Sequence, residues 1–162
     1  MELETSGGNI YASNSNGEIR LQTSGGEITM EKLNGNIKAR TSGGSVKAND
    51  IEGTLATGTS GGNVKLMNMS CTLDASTSGG NINVSMNKMG QYLKLNNSGG
   101  NIDVELPSSA GINLNAHASR VKLNSMQTFK GSVDEHNING ILNGGGIPVN
   151  VTGGDRISIS VK

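Results

Sequence analysis

The chain has 162 residues, of which 25 are glycine and 2% are aromatic, a composition that disfavours a conventional core of large aromatic side chains. Its 13 Lys and Arg residues balance 13 Asp and Glu residues, and the lack of a basic block or an aromatic platform argues against nucleic-acid binding. The single cysteine, Cys71, excludes an internal disulfide, and with no signal peptide and no transmembrane run we expect no direct membrane insertion by this segment.

Six Ser-Gly-Gly triplets recur along the chain at a nearly constant spacing of 18, 18, 18, 18 and 20 residues. A fixed period near twenty residues is typical of a solenoid, in which each repeat covers the apolar face of the one before. The chain opens inside a repeat at Thr5, so we expect it to be a fragment of a longer protein. The serines of the triplets are Ser6, Ser24, Ser42, Ser60, Ser78 and Ser98.

The segment after each triplet, here called the first arm of a coil, alternates apolar and polar residues. This period of two predicts a strand with one buried face. Lys47 and Lys65 share one outward column, which fits a solvated face or, as an alternative, an anion-binding stripe. The inward pairs are Ile10 and Ala12, Ile28 and Met30, Val46 and Ala48, Val64 and Leu66, Ile82 and Val84, and Ile102 and Val104.

The pattern returns nine residues later in a second arm, after a turn marked by Gly17, Gly35 and Gly53. The sequence therefore predicts an all-β fold: a single-stranded, parallel β-solenoid (β-helix), right-handed, with flattened coils of about 18 residues and two strands per coil. Thr57 is the polar member of the inward pairs, and its buried hydroxyl needs a partner. The pairs are Ile19 and Leu21, Ile37 and Ala39, Leu55 and Thr57, Leu73 and Ala75, Leu93 and Leu95, and Ile112 and Leu114.

The corners explain the glycines and the threonines that precede them. We expect each Gly-Gly pair to adopt positive φ, which residues with a Cβ resist. The preceding threonines should form a hydroxyl ladder that satisfies backbone groups, with Asn97 continuing it. These threonines are Thr5, Thr23, Thr41, Thr59 and Thr77.

The period fails beyond about residue 116. We expect one β-solenoid domain over 1–162, with regular coils over 1–116, an irregular excursion over 117–146 and a terminal coil over 147–162 that closes the stack. Within the excursion, Val121 and Leu123 indicate one more strand. The range 126–143 reads as irregular, and Phe129 is placed to plug the end of the core.

Calcium-binding β-rolls share an 18-residue coil of two nonapeptides, but they need a Gly-Gly-x-Gly-x-Asp loop in each half-turn. Here the first corner reads Gly7-Gly8-Asn9-Ile10, and the aspartates do not recur in phase. We therefore expect no metal site and no cofactor.

Parallel β-helices also carry polysaccharide-cleaving enzymes, which need clustered carboxyl groups on an exposed face. Asp103 and Glu105 lie two residues apart on one predicted strand, so both face outward as ordinary surface charges. His136 lies in a polar loop without a third group to orient it, and Cys71 has no neighbouring positive charge. We assign no catalytic residue and expect a protein that is not an enzyme.

The six-residue motif of Thr5–Ile10 recurs at Thr59–Val64 and Thr77–Ile82, with Asn97–Ile102 as a variant and a related ending over 143–159. With these motifs the chain resembles the bacterial adhesin-like β-solenoid family of Thr-Ser-Gly-Gly-Asn-Ile repeats, which is related to head GIN domain adhesins. The resemblance covers nearly the whole chain. It implies an extracytoplasmic, cell-surface or envelope-associated setting and supplies no catalytic residues.

We therefore expect a non-enzymatic bacterial surface or envelope module, acting as an adhesin or a structural scaffold. Its partner would be a cell-surface or envelope ligand, either a glycan or a protein. One alternative is a polysaccharide-acting β-helix enzyme. Another is a self-assembling structural element, a homo-oligomer formed through the N-terminal coil, because unpaired strand edges invite another chain.

Overall fold

The computed structural model describes residues 1–124 and 129–161, which form β-strands and contain no helix that could cross a membrane. The strands are β1 (Glu2–Thr5), β2 (Ile10–Thr23), β3 (Ile28–Thr41), β4 (Val46–Thr59), β5 (Val64–Thr77), β6 (Ile82–Asn97), β7 (Asn101–Leu106), β8 (Ile112–His117), β9 (Arg120–Asn124), β10 (Phe129–Val133), β11 (Asn137–Leu142), β12 (Ile147–Thr152) and β13 (Arg156–Val161).

Consecutive coils stack in parallel register, as the repeat predicts. Ile10 is the partner of Ile28 across β2 and β3, and Ile28 is the partner of Val46 across β3 and β4. The inward columns fill a continuous core in which Ile28, Val46 and most later members are fully buried. The all-β parallel solenoid with coils of about 18 residues is therefore confirmed.

The two arms of a regular coil belong to one continuous strand of 14 residues that bends between them. The bend lies at a non-glycine residue in the left-handed region, with φ of 51° at Asn14 and 55° at Asp50. Asn and Asp tolerate this conformation better than most residues with a side chain. The sequence pattern pointed to the following glycines but not to this column, which is Asn14, Lys32, Asp50 and Asn68.

The glycines of the Ser-Gly-Gly corners are required for a different reason from the one that the sequence suggested. None of them lies at positive φ among the described residues, so that expectation is wrong. Instead, a Cβ added at Gly44 would overlap the carbonyl oxygen of Gly26 in the previous coil, and the same overlap recurs at Gly62. The second glycine therefore sets how closely successive corners approach.

The predicted threonine ladder is confirmed at Thr23, Thr41, Thr59 and Thr77, where it links successive corners, whereas Thr5 makes no such bond to the described residues. Thr41 Oγ1 donates to the carbonyl oxygen of Gly26 at 2.8 Å and accepts the backbone N–H of Gly44 at 3.3 Å. Asn97 performs both roles with its amide, donating to Gly80 O at 2.7 Å and accepting from Gly100 N at 3.1 Å. Each side chain thus satisfies one carbonyl and one N–H that the sharp corner leaves without a strand partner.

Thr57 and Thr59 provide a matched test of buried hydroxyls. Thr57 Oγ1 is buried without a hydrogen-bond partner, whereas Thr59 Oγ1 donates to Gly44 O at 2.7 Å and accepts from Gly62 N at 3.3 Å. We expect Thr57→Val to raise the free energy of unfolding by about 1 kcal/mol, because it removes an unsatisfied polar group. Thr59→Val should lower it by about 1–3 kcal/mol, because two backbone groups lose their partner. Urea unfolding would measure both, and shifts of the same sign would contradict the assignment.

The last two strands lie inside the stack. β12 pairs in parallel with β6 on one side and with β8 on the other, and β13 lies likewise between β7 and β9. The prediction that 147–162 closes the stack is therefore wrong. The chain builds β8 and β9 one coil further out and then returns to fill the gap, where Val149, Val151, Ile157 and Ile159 are at most 1% exposed.

The range 117–146 is more ordered than the sequence indicated. It contains β9, where Val121 and Leu123 lie as predicted, and an antiparallel hairpin of β10 and β11 that pairs with β8. A hairpin has no 18-residue period, so the repeat could not reveal it. Phe129 packs partly buried against the core. Residues 126–128 of the range expected to be irregular lie outside the described residues.

Candidate functional site

A large concavity lies on the outward face of the second arms. It is a groove of about 680 Å³ that crosses β2 to β6 perpendicular to the strands. Its floor is made of small residues because Ala56 and Gly58 of β4 lie between longer side chains on β3 and β6. This feature, here called the second-arm groove, is lined by Gln22, Thr23, Ser24, Arg40, Thr41, Ser42, Ala56, Thr57, Gly58, Thr59, Ser60, Asp74, Ser76, Ser78, Lys94 and Asn96.

Strand register explains how the groove is built. Arg40 is opposite Gly58, and Gly58 is opposite Ser76 on the next strand. In the neighbouring column Ala56 is opposite Asp74, which is opposite Lys94. Missing side-chain volume at two adjacent outward positions of one strand therefore creates a depression between a cationic wall on β3 and another on β6.

The polar groups of the groove are available to a ligand. The hydroxyls of Ser42, Ser60 and Ser78 form no hydrogen bond to other described residues. Arg40 and Lys94 form no ion pair with any described residue. The corner serines repeat once per coil, so their hydroxyls form a row with a spacing of about 4.8 Å, the separation of adjacent strands. The arrangement offers a row of donors and acceptors with a cation at each side.

The repeat pattern of the sequence does not indicate this groove. The available signal was the outward column Gln22, Arg40, Gly58, Ser76 and Asn96, in which a glycine without a turn interrupts larger polar residues. A glycine in a strand interior often marks a place where another group approaches the backbone closely.

The lysine stripe considered from the sequence lies on the opposite face. Lys47 and Lys65 are register partners in β4 and β5, as the repeat indicated. Lys47 Nζ forms an ion pair with Glu27 Oε2 at 3.2 Å. One of the two charges is therefore already compensated, which favours the solvated face over the anion-binding stripe.

The two outward acids considered for hydrolysis, Asp103 and Glu105, lie on β7 beside Ser158 and Ser160 of β13. They border a depression of about 220 Å³ whose described lining contains no Lys or Arg.

The histidines make structural hydrogen bonds. His136 Nδ1 lies 2.8 Å from the carbonyl oxygen of Ser119, and His117 Nδ1 lies 2.7 Å from Asn137 Oδ1. Asp134 Oδ1 accepts the backbone N–H groups of His136 and Asn137, both at 2.8 Å, and these bonds lower the pKa of Asp134. The carboxylate of Asp134 therefore caps a turn. In the part of the chain that the structure describes, no three His, Cys, Asp or Glu residues form a cluster that could hold a metal ion.

Cys71 points into the core at 1% exposure, and burial raises the pKa of its thiol to about 12. Because the thiolate is the nucleophile, we expect native Cys71 to react with iodoacetamide at pH 8 roughly a hundredfold more slowly than in the urea-unfolded chain. Mass spectrometry of timed samples would measure this ratio. A Cys71→Ser, Ser78→Cys chain, whose thiol lies at an exposed corner, provides the reactive control. Equal rates in both native chains would contradict the buried position.

Comparison with known proteins gives one family. The family model described as Toastrack DUF4097 matches residues 1–155 of the chain. No curated protein and no solved structure matches it.

Proposed function

The chain belongs to the Toastrack DUF4097 family, and from that premise we propose that it is a non-enzymatic surface or envelope module that binds an extended polar ligand in its second-arm groove. The observation that carries the proposal is the combination of unpaired polar groups and a rigid floor. The side chains below the groove belong to a continuous buried core, and the corner ladder fixes each coil to the next. A site on rigid strands loses little conformational entropy when a ligand binds.

In this proposal the chain acts as an adhesin. Its partner is a cell-surface glycan or protein, and its location is extracytoplasmic. A pulldown with immobilised glycans and with envelope fractions tests it. We expect retention of the 162-residue chain on at least one of these materials, reduced when Gly58→Gln fills the groove. Retention on none of them would contradict adhesion.

The same experiment addresses catalysis. We expect the bound glycan to be recovered with unchanged chain length after prolonged incubation, and Asp103→Asn and Glu105→Gln to leave binding unchanged. Chain shortening that these two substitutions abolish would instead support a polysaccharide-acting enzyme.

Self-assembly is a second candidate function, and the N-terminal edge favours it. Leu3 continues the inward column of Leu21 but is 39% exposed, and Tyr11, on the part of β2 whose outer edge no strand of the described residues pairs, is 62% exposed. A second copy that stacked on this edge would cover both and pair the free backbone groups. Sedimentation velocity should show concentration-dependent dimers of the 162-residue chain that Leu3→Lys abolishes. A monomer at all concentrations would exclude this function.

A further inference from the structure

We infer that the ligand of the second-arm groove is an acidic polysaccharide that lies across the strands, with anionic groups at Arg40 and Lys94 and sugar hydroxyls along the serine row. The inference rests on the proposed binding function and specifies its ligand. The chemistry of the groove, its direction and the composition of its walls each contribute.

The groove requires an extended ligand because it crosses several coils. Arg40 lies on β3 and Lys94 on β6, so three strand spacings of about 4.8 Å, or roughly 14 Å, separate their backbones. A single small anion is much shorter than this separation. A polymer that runs perpendicular to the strands contacts both and passes over Gly58 and Ser76 between them.

The floor of the groove matches the hydroxyl groups of a sugar chain. Ser42, Ser60 and Ser78 present hydroxyls with no partner in the described chain, and each can donate one hydrogen bond and accept others. Sugar hydroxyls have the same dual capacity. The regular repeat of the corner therefore provides a periodic set of contacts for a periodic ligand.

The walls of the groove select negative charge. Arg40 of β3 forms the near wall and Lys94 forms the far wall, and Lys38 lies outside the groove, two residues from Arg40 on the same face of β3. Within the described residues none of these three cations has an ion-pair partner. Among the described residues that line the groove, Arg40 and Lys94 are the cations and Asp74 is the one acid, so the positive charges exceed the negative by one. Charge-assisted hydrogen bonds to carboxylate or phosphate groups would satisfy Arg40 and Lys94.

Other macromolecules fit the groove less well. A protein interface has an apolar, often aromatic centre, whereas the described residues that line this groove include no aromatic side chain and no large aliphatic one. Single-stranded nucleic acid is held by base stacking on aromatic side chains, which the groove also lacks. The exposed hydrophobic residues of the described chain, such as Tyr11 and Tyr92, lie elsewhere.

Binding of defined polymers to the full 162-residue chain tests the inference. Polygalacturonate supplies carboxylates, poly(glycerol phosphate) supplies phosphates, dextran is the neutral control, and a single-stranded oligonucleotide is the polyanion control. Calorimetry should show binding of at least one acidic polymer, with the better of the two identifying the source of the charge. This binding should weaken as the salt concentration rises, because dissolved ions screen exposed charges.

Three variants distinguish binding in the groove from nonspecific attraction of an acidic polymer to positive surface charge. We expect Arg40→Ala, Lys94→Ala to weaken binding at least about tenfold, because two charge-assisted contacts are lost. The matched variant Lys47→Ala, Lys65→Ala removes two cations from the opposite face and should stay within about twofold. Gly58→Gln should also weaken binding while it keeps every charge. Its Cβ would meet Ser76 Oγ at 3.0 Å, the end of a side chain that can rotate away.

The outcomes are distinct. Equal losses in the two double variants, equal binding of dextran, or equal binding of the oligonucleotide would overturn the acidic-polysaccharide assignment. Retention on envelope material without binding to any of these polymers would overturn it too, while the proposed function would stand. Thermal melting of each variant separates loss of the site from loss of the fold.

Discussion

A chain that ends at Gly146 should not form a stable stack, although it lacks only the last strands of the sequence. The missing segment is internal in space, since β12 and β13 each have a parallel partner on both sides. It contributes four buried aliphatic side chains, each worth about 1.5–3 kcal/mol, so the loss is roughly 6–12 kcal/mol. Small domains have total stabilities of about 5–15 kcal/mol. Circular dichroism and size exclusion should show an unfolded or aggregated chain.

Two point variants at opposite ends of the sequence provide the matched control. Ile159 is fully buried and Leu3 is 39% exposed, and each lies near one terminus of the 162-residue chain. Ile159→Asp should abolish cooperative unfolding near physiological pH, because it buries a carboxylate without a partner. Leu3→Asp should cost about 1 kcal/mol or less, since water still reaches the side chain. Similar melting temperatures for both variants, or cooperative melting of the shortened chain, would show that the last coil does not occupy the gap.

Gly44→Ala should be severely destabilising, whereas Gly43→Ala should be nearly neutral. The added Cβ at Gly44 overlaps the carbonyl oxygen of Gly26, which is backbone and cannot rotate away, whereas at Gly43 the nearest atom is 3.8 Å away. The coils would have to separate, and both the hydrogen bonds of Thr41 and the packing below would be lost. Overpacking of this kind costs about 3 kcal/mol or more when the neighbour is rigid.

Urea unfolding of the two alanine variants measures the difference directly. Equal destabilisation would mean that glycine is needed at these corners for backbone conformation and not for close approach. The pair Gly62→Ala and Gly61→Ala repeats the test one coil further along, because the same overlap and the same open space recur there.

Much of the fold could be predicted because the same pattern of buried and exposed residues recurs in every regular coil. The columns that begin at Ile10 and Ile19 identified the buried faces, the threonine column identified the ladder, and Asn97 was expected to continue it. The reason that glycine is required at the corners was not predictable. The sequence of a single coil suggests only that the glycines adopt a turn conformation. The carbonyl that excludes a Cβ belongs to the neighbouring coil, whose distance the sequence does not give.

The candidate site was harder to predict than the fold. Alignment of the repeats identifies the residues that they share, so it gives no weight to a residue that differs from its column, such as Gly58 after Arg40. In the structure that departure is the feature that produces a groove, because a missing side chain matters only when neighbouring strands supply walls. Those walls come from Arg40 and Lys94, which are 54 positions apart in the sequence.

The sequence by itself determined the coil: its length, its inward columns, its ladder and the parallel stacking that hides its aliphatic side chains from water. Local alternation and a fixed period are sufficient for this, since every coil repeats the same solution. The tertiary structure alone decided the order of the last strands, the tight contact at the corners and the position of the groove. Each of these depends on which coil becomes a neighbour, and β12 and β13 lie between strands that precede them in the sequence, an order that no repeat period contains.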